Sequence, residues 1–407
     1  MFVNEKAGAV IELLMLAGQL LLENGAETHR VETTISIMYR ALGGGGEINA
    51  VALATQITLD ISDGGRYTAV RRIRMRGVNL KKFAGVNEIS RNVAEGKIGA
   101  EQALGLLRAL DAAKPGNRAI QVFAAATLVA VMFVLMIGGG AAEAFTAFIC
   151  CLLIQTGWVF LKRIAPLVFV AQIFSGFIAT LIASAGAYIF GCGVERIIFG
   201  ALLPLFPGLA MILAINDTVN GDLTSGVARG VEAFLTAVGL ALGASLGLIL
   251  VSSLWGGVAS GLHMVIKTDL QYACFAMLVS FGSGLVLNAK IKTSLAGALI
   301  GGAVYALFLL GGGLPTGVFF ASLALAALSE TAARLLKEPS TLFLIKGIYP
   351  LVPGVGIFTT ATLIVQGNLV EASAYGIKTV ADLLFMVAGI AVISTLFRLK
   401  SYYQKAK

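Results

Sequence analysis

Pro204-Leu205-Phe206-Pro207-Gly208 interrupts an apolar run that is otherwise long enough to cross a bilayer. A proline inside a helix removes a backbone hydrogen bond and costs about 3 kcal/mol. Two prolines and a glycine within five residues therefore demand a reason. The same pattern returns as Pro350-Leu351-Val352-Pro353-Gly354. The echo continues at constant offset: Val219, Gly221, Leu223, Ala228 and Gly230 answer to Val365, Gly367, Leu369, Ala374 and Gly376. The chain thus reads as an internal repeat, each copy centred on a broken helix. That pattern belongs to transporters with a binding site near the membrane midplane.

Composition supports a membrane setting. Of 407 residues, 57% are hydrophobic and only 13% are charged, and the mean hydropathy is +0.89. A soluble domain has no use for so much apolar surface. The 49 glycines suit closely packed membrane helices. The formal net charge of +8 reads as Lys and Arg of cytoplasmic loops, with no aromatic-interleaved basic patch for nucleic acid. Cys150, Cys151, Cys192 and Cys274 form no CxxC pair and read as small packing residues. Residues 1–22 carry Glu5, Lys6 and Glu12 and no cleavage site, so they do not read as a signal peptide.

Residues 1–118 read as a cytoplasmic soluble α/β domain. Helical spacing runs to Asn24-Gly25, a helix-stop signal, and resumes over residues 27–42. Val, Ile and Thr alternate over residues 50–61, Asp63-Gly64-Gly65 reads as a hairpin turn, and residues 66–74 return as a strand. Two more helices are expected over residues 79–95 and 100–111, then a linker at residues 114–117. From there the pattern predicts about ten transmembrane spans of roughly 20 residues. Residues 119–255 form a first five-helix membrane repeat and residues 256–407 a second, with a glycine-rich connector at residues 255–263. The expected fold is a polytopic α-helical membrane protein.

Basic residues orient the spans. Lys162 and Arg163, Lys290 and Lys292, Arg334 and Lys337, and the tail at residues 398–407 fall in alternate connections. By the positive-inside rule both termini are cytoplasmic. An odd number of spans per copy then makes the two repeats inverted. Each break falls about 12 residues into its span, near the midplane at ~1.5 Å per residue.

The candidate substrate site gathers around the breaks. After Pro207-Gly208 and Pro353-Gly354 a half-helix begins, and its first amides suit a carboxylate. Packing kinks are the alternative. Asn216, Asp217 and Asn220 follow the first break; Thr359 and Thr360 follow the second. Capping at Asp217 and back-bonding by the threonines compete with a substrate role. Glu232, Lys378 and Asp382 are rare charges within spans and are assigned to ion coupling. Arg229–Glu232 and Lys378–Asp382 ion pairs are the structural alternative. In the soluble part, Glu23, Glu27, His29 and Glu32 are dense, but no HExxH occurs and no catalytic or metal set is complete. No cofactor is expected. No GxxxxGK[ST] is present to bind ATP.

The words Leu22-Glu23-Asn24-Gly25-Ala26-Glu27-Thr28-His29-Arg30-Val31-Glu32, Val78-Asn79-Leu80 and Asn87-Glu88-Ile89-Ser90 resemble the bacterial threonine/serine exporter family. So do Pro207-Gly208 with Asn220-Gly221-Asp222, and Pro350-Leu351-Val352-Pro353-Gly354. The resemblance covers almost the whole chain. It implies two halves, separate proteins in some relatives, fused here. It also implies proton-driven export of threonine and serine across the bacterial inner membrane, by a transporter and not an enzyme. The expected partners are the small-molecule substrate, protons and lipid, with self-association left open. Dicarboxylate (succinate) export, a membrane-anchored hydrolase and a passive channel are the rivals.

The charge pattern generates a topology test. Single cysteines replacing Gly257 or Gly312 are expected to react with an impermeant maleimide added outside, and those replacing Ile164 or Lys290 are not. Outside labelling at position 290 overturns this orientation.

Overall fold

The computed structural model describes residues 5–74, 77–113, 118–164, 168–255, 269–312, 314–351 and 354–405. Pro353, the linker at 114–117 and most of the connector at 255–263 lie outside the described residues. Contacts divide the chain into two units, one of residues 1–118, 213–230 and 287–290, the other of the remainder.

The first unit opens with α1 (Glu5–Glu23) and α2 (Thr28–Ala41). Gly25, at φ +95°, supplies the left-handed turn between them. Three antiparallel strands follow, β1 (Glu47–Leu53), β2 (Gln56–Ser62) and β3 (Arg66–Arg72), in that spatial order. Alternation puts Ile57, Leu59 and Ile61 of β2 in the core, none more than 3% exposed. On β2, hydrogen bonds from Arg66 and Thr68 hold the Asp60 carboxyl below the usual carboxylate range. Then come α3 (Leu80–Ala94) and α4 (Ala100–Ala112). Asn79 caps α3, its Oδ1 accepting from Lys82 N at 3.2 Å. The same oxygen accepts from Asn288 Nδ2 at 2.9 Å, and Leu80 N donates to the Leu287 carbonyl at 2.9 Å. Residues 287–290 are thereby tied into this unit.

The second unit is helical: α5 (Arg118–Met136), α6 (Ala141–Ile164), α7 (Val168–Phe190), α8 (Val194–Leu202), α9 (Gly208–Val219), α10 (Leu223–Trp255), α11 (Tyr272–Val286), α12 (Ile291–Leu310), α13 (Pro315–Leu336), α14 (Ser340–Ile348), α15 (Gly354–Val365) and α16 (Leu369–Lys405). Helices α9 and α10 each run partly in the first unit. Among the described residues six helices are long and apolar enough to cross a membrane, and two bent pairs, α8 with α9 and α14 with α15, raise the count to eight. Helices α5 and α11 are apolar but shorter. The chain is therefore a polytopic helical membrane protein. Helices α10 and α16 begin earlier than hydropathy alone indicates, because polar caps fix their starts. Asp222 Oδ1 accepts from Ser225 N at 3.0 Å, and Asn368 Oδ1 from Glu371 N at 3.3 Å. Each cap follows a glycine at positive φ, Gly221 or Gly367.

Close helix packing uses glycine. A Cβ on Gly176 of α7 would sit on the Leu240 carbonyl oxygen of α10, and one on Gly243 would sit on that of Ile173. Neither neighbour is a side chain that can rotate away. Gly176→Leu and Gly243→Leu are each expected to destabilise the protein by about 3 kcal/mol. Thermal unfolding in detergent checks this; an unchanged midpoint refutes the close approach.

Candidate functional site

The first broken helix descends through α8 into a 3-10 turn over Leu203–Leu205. Phe206 N donates to the Leu203 carbonyl at 3.1 Å, the last bond before Pro207 ends the ladder. Helix α9 restarts at Gly208, bent by 54° from the preceding segment. The second broken helix repeats this: α14, a 3-10 turn at Tyr349–Leu351, then α15 from Gly354, bent by 48°.

The two restarts meet. A Cβ on Gly354 would lie 2.9 Å from Phe206 Cβ, so the backbone of one break rests on the side chain of the other. The Phe206 ring stacks on Phe358 of α15 at 5.3 Å between centroids, and Phe199 of α8 meets Phe358 edge-on at 6.1 Å. Phe199 and Phe358 are fully buried, as are Pro207, Gly208 and Gly354 within their turns.

The structure distributes the other candidates unevenly. Thr359 is buried one turn along α15. Thr360 Oγ1 donates to the Gly356 carbonyl at 2.7 Å, the back-bond of a threonine facing a helix neighbour. Asp382 Oδ1 is buried without a hydrogen-bond partner among the described residues. Gly376 of α16 faces Thr360, and Gly356 of α15 faces Thr379. That antiparallel register sets Asp382 level with Gly354. Glu232 and Lys378 lie on exposed faces. Gln172 Nε2 donates to Thr236 Oγ1 at 3.0 Å, a neutral pair one turn beyond Glu232.

Asn216, Asp217 and Asn220 belong elsewhere. Asp217 lies about 14 Å along α9 from Gly208 at 1.5 Å per residue. Asn220 Nδ2 donates to the Asn216 carbonyl at 2.8 Å, closing the helix end. Asp217, 1% exposed, belongs with the N-terminal motif in the first unit. Its Oδ1 accepts from Thr28 N and Oγ1 at 3.4 and 3.3 Å. Its Oδ2 lies 3.2 Å from Arg229 Nε, and Arg229 Nη2 donates to the Ala26 carbonyl at 2.9 Å. Arg229 therefore pairs with Asp217, not with Glu232. Alongside, Ala54 N donates to Ser225 Oγ at 2.9 Å. Burial alone would push the Asp222 carboxyl up, but hydrogen bonds from Ser225, Thr224 and Thr28 hold it below the usual carboxylate range.

The acidic residues of the N-terminal motif take structural work. Glu32 Oε1 accepts from Ala52 N at 2.9 Å, and Glu23 Oε1 from Gln19 Nε2 at 2.9 Å. His29 is exposed. Arg30 lies over the Phe83 ring at 5.2 Å. Among the described residues no three His, Cys, Asp or Glu side chains converge to hold a metal. Glu143 of α6, one of the few charges expected within the spans, is buried and accepts from Arg196 at 2.6 Å and from Gly193 N at 3.2 Å. Sequence reasoning passed over Lys346 of α14, fully buried two turns before the second break; a lone lysine in an apolar stretch was the available signal.

Two broken helices in contact at their restarts among long apolar helices define a polytopic membrane protein of the transporter class. Residues 12–251 match the family model described as "Putative threonine/serine exporter", and residues 272–396 match that described as "Threonine/Serine exporter, ThrE". The chain belongs to the threonine/serine exporter family, in a fused form. It is 22% identical over 375 residues to a "Threonine/serine exporter" of Corynebacterium glutamicum, covering 87% of this chain and 76% of that protein. It is also 22% identical over 372 residues to a "Probable threonine/serine exporter" of Mycobacterium tuberculosis (strain ATCC 25618 / H37Rv), covering 86% and 69%. No solved structure matches the chain.

The Asp217–Arg229 pair yields a double-mutant test. Removing one partner of a buried pair strands the other charge and costs about 3–5 kcal/mol. Asp217→Leu and Arg229→Met are each expected to destabilise strongly, and the double variant less than the sum of the two. Thermal unfolding and protection from proteolysis provide the readout; strict additivity overturns the pairing.

Proposed function

We propose that this chain is a secondary-active exporter of threonine and serine, driven by the proton motive force and resident in the bacterial cytoplasmic membrane. The crossing of the two broken helices, with Gly354 against Phe206, is the observation that carries the reading. Two half-helix starts converge there, and glycine lets the backbone approach a small ligand closely. In this reading Phe206 and Phe358 close the crossing, and substrate gains access to Gly208, Gly354 and Thr359 when the breaks part. Pro207 keeps the first restart free of the preceding helix.

Helices α5 and α11, counted with the six long helices and the two bent pairs, complete ten spans in two inverted halves, residues 119–255 and 256–407. Residues 1–118 then form a cytoplasmic domain, and both termini are cytoplasmic. Asp382 is the favoured proton carrier, because its buried oxygen lacks a partner at the level of Gly354. Glu232 and Lys378, on exposed faces, serve as rim charges. Asp217 acts at the end of α9 and contacts no substrate at the breaks. The reading is of a transporter, not an enzyme.

Counterflow of radiolabelled threonine, serine and succinate in proteoliposomes, with and without a pH gradient, tests this. Threonine and serine are expected to exchange and to accumulate against their gradients; succinate alone would make the protein a dicarboxylate exporter. Gly354→Leu is expected to abolish transport in correctly inserted protein, since its side chain must displace Phe206. If the double variant Pro207→Ala, Pro353→Ala transports at unchanged rates, the breaks are packing kinks and the site assignment fails.

A further inference from the structure

Among the described residues four charged side chains are almost wholly buried: Glu143, Asp217, Arg229 and Lys346. Glu143 pairs with Arg196, and Asp217 pairs with Arg229. Lys346, 0% exposed, has no carboxylate within ion-pair distance among the described residues. Its Nζ donates to the Thr293 carbonyl at 2.7 Å and lies 5.0 Å from the Phe343 ring centroid. Glu338, in the turn before α14, acts on it only at longer range. An ammonium at this depth without a counter-charge is unfavourable by several kcal/mol, and such residues mark substrate and ion paths.

The lysine stem runs in a groove of glycines: a Cβ on Gly297 of α12 would lie 2.8 Å from Lys346 Cβ. A Cβ on Gly284 of α11 would lie 2.7 Å from Ser294 Oγ and 3.0 Å from Lys346 Cδ. Ser294 and Lys346 therefore share the space over Gly284. One turn along α11 and α12 the arrangement recurs: a Cβ on Gly301 would sit on Ser280 Oγ and lie 3.5 Å from the Gly347 carbonyl oxygen. Ser280 is 0% exposed, and its Oγ has no hydrogen-bond partner among the described residues. A buried hydroxyl left unsatisfied needs an explanation. Two such features lie in succession between α11, α12 and α14: a cation without an anion and, one turn from its stem, a hydroxyl without a partner. In the sequence echo the position answering to Lys346 is Gly200, so the chain carries one such cation, not two.

We propose that Lys346, with Ser280 and Ser294, is a carboxylate-binding station on the export path. The α-carboxylate of a small amino acid pairs there with the ammonium when α14 moves relative to α11 and α12. Ser280 supplies a second hydrogen bond. The glycine walls fit the lysine stem closely, so a ligand enters only as the helices part. This assignment rests on the amino-acid export reading and adds to it a place where the carboxylate is recognised.

The test is threonine counterflow by the full-length protein in proteoliposomes, with threonine and threoninamide as competitors. Threoninamide keeps the ammonium and side chain and lacks the carboxylate. For the wild type, threonine is expected to compete about tenfold better or more, since a site built for a charged group rejects an analogue without it. Lys346→Met should erase that preference, whereas a lysine that only packs would lower both ligands equally. Ser280→Ala removes a hydroxyl without a partner, spares folding, and should raise the threonine KM several-fold. Unchanged preference in inserted Lys346→Met overturns the proposal. If that variant does not insert, an unchanged KM in Ser280→Ala overturns it. Wild type that exports threonine while both variants match it defeats this site alone; wild type that moves neither threonine nor serine defeats the export reading and this site with it.

Discussion

Peptide groups within a bilayer have no water to bond, so any interruption of a helix there must be covered by protein. The whole arrangement turns on how the two interruptions cover each other. Gly354 has no side chain, so its backbone can lie against Phe206. The Phe206 ring stacks on Phe358, and Phe199 closes the edge. Each break also ends in a 3-10 turn, which tightens the last turn before the ladder stops. An aromatic seal over two helix restarts is apolar, compact and separable. Those properties suit a point that must be closed in one state and open in another.

Helix α9 links two environments of opposite character. At its start, Gly208 belongs to the apolar crossing; at its end, Asp217 belongs to a charged cluster with Arg229, Thr28 and the Ala26 carbonyl. A buried ion pair adds little net stability over a well-packed apolar pair, but it tolerates only one set of partners. The N-terminal motif thus supplies specific partners for the end of a broken span, and its Glu32 and Glu23 carboxylates are engaged with a backbone amide and a side-chain amide. The second loop held by the same unit, residues 287–290, joins α11 and α12, the helices that flank Lys346 on one side.

Charge within the helical unit follows a simple economy. Glu143 is neutralised by Arg196 and by the Gly193 amide. Lys346 and Asp382 are left without an opposite charge in hydrogen-bond contact among the described residues, the first on the second broken helix and the second on α16 beside it. The first broken helix has the neutral Gln172–Thr236 pair in the comparable place. The two broken helices share a backbone plan and differ in where titratable groups sit.

The breaks, the caps and the long helices were readable from the sequence because each depends on neighbours along the chain. Proline removes an amide wherever it stands, glycine admits the left-handed turn at Gly221 and Gly367, and an apolar run has one stable state in lipid. The family was readable for the same reason, from contiguous words. Partner choice was not. Asp217 reads as a polar residue after a break, yet its partner Thr28 lies 189 residues away. Arg229 has Glu232 within one turn but turns to Asp217. Lys346 is a single letter in an apolar stretch, and only the packing of Gly284 and Gly297 against its stem shows how completely the fold encloses it. Local backbone rules are written residue by residue; the energy of a buried charge is set by whatever the fold brings against it, and only the tertiary structure decides that.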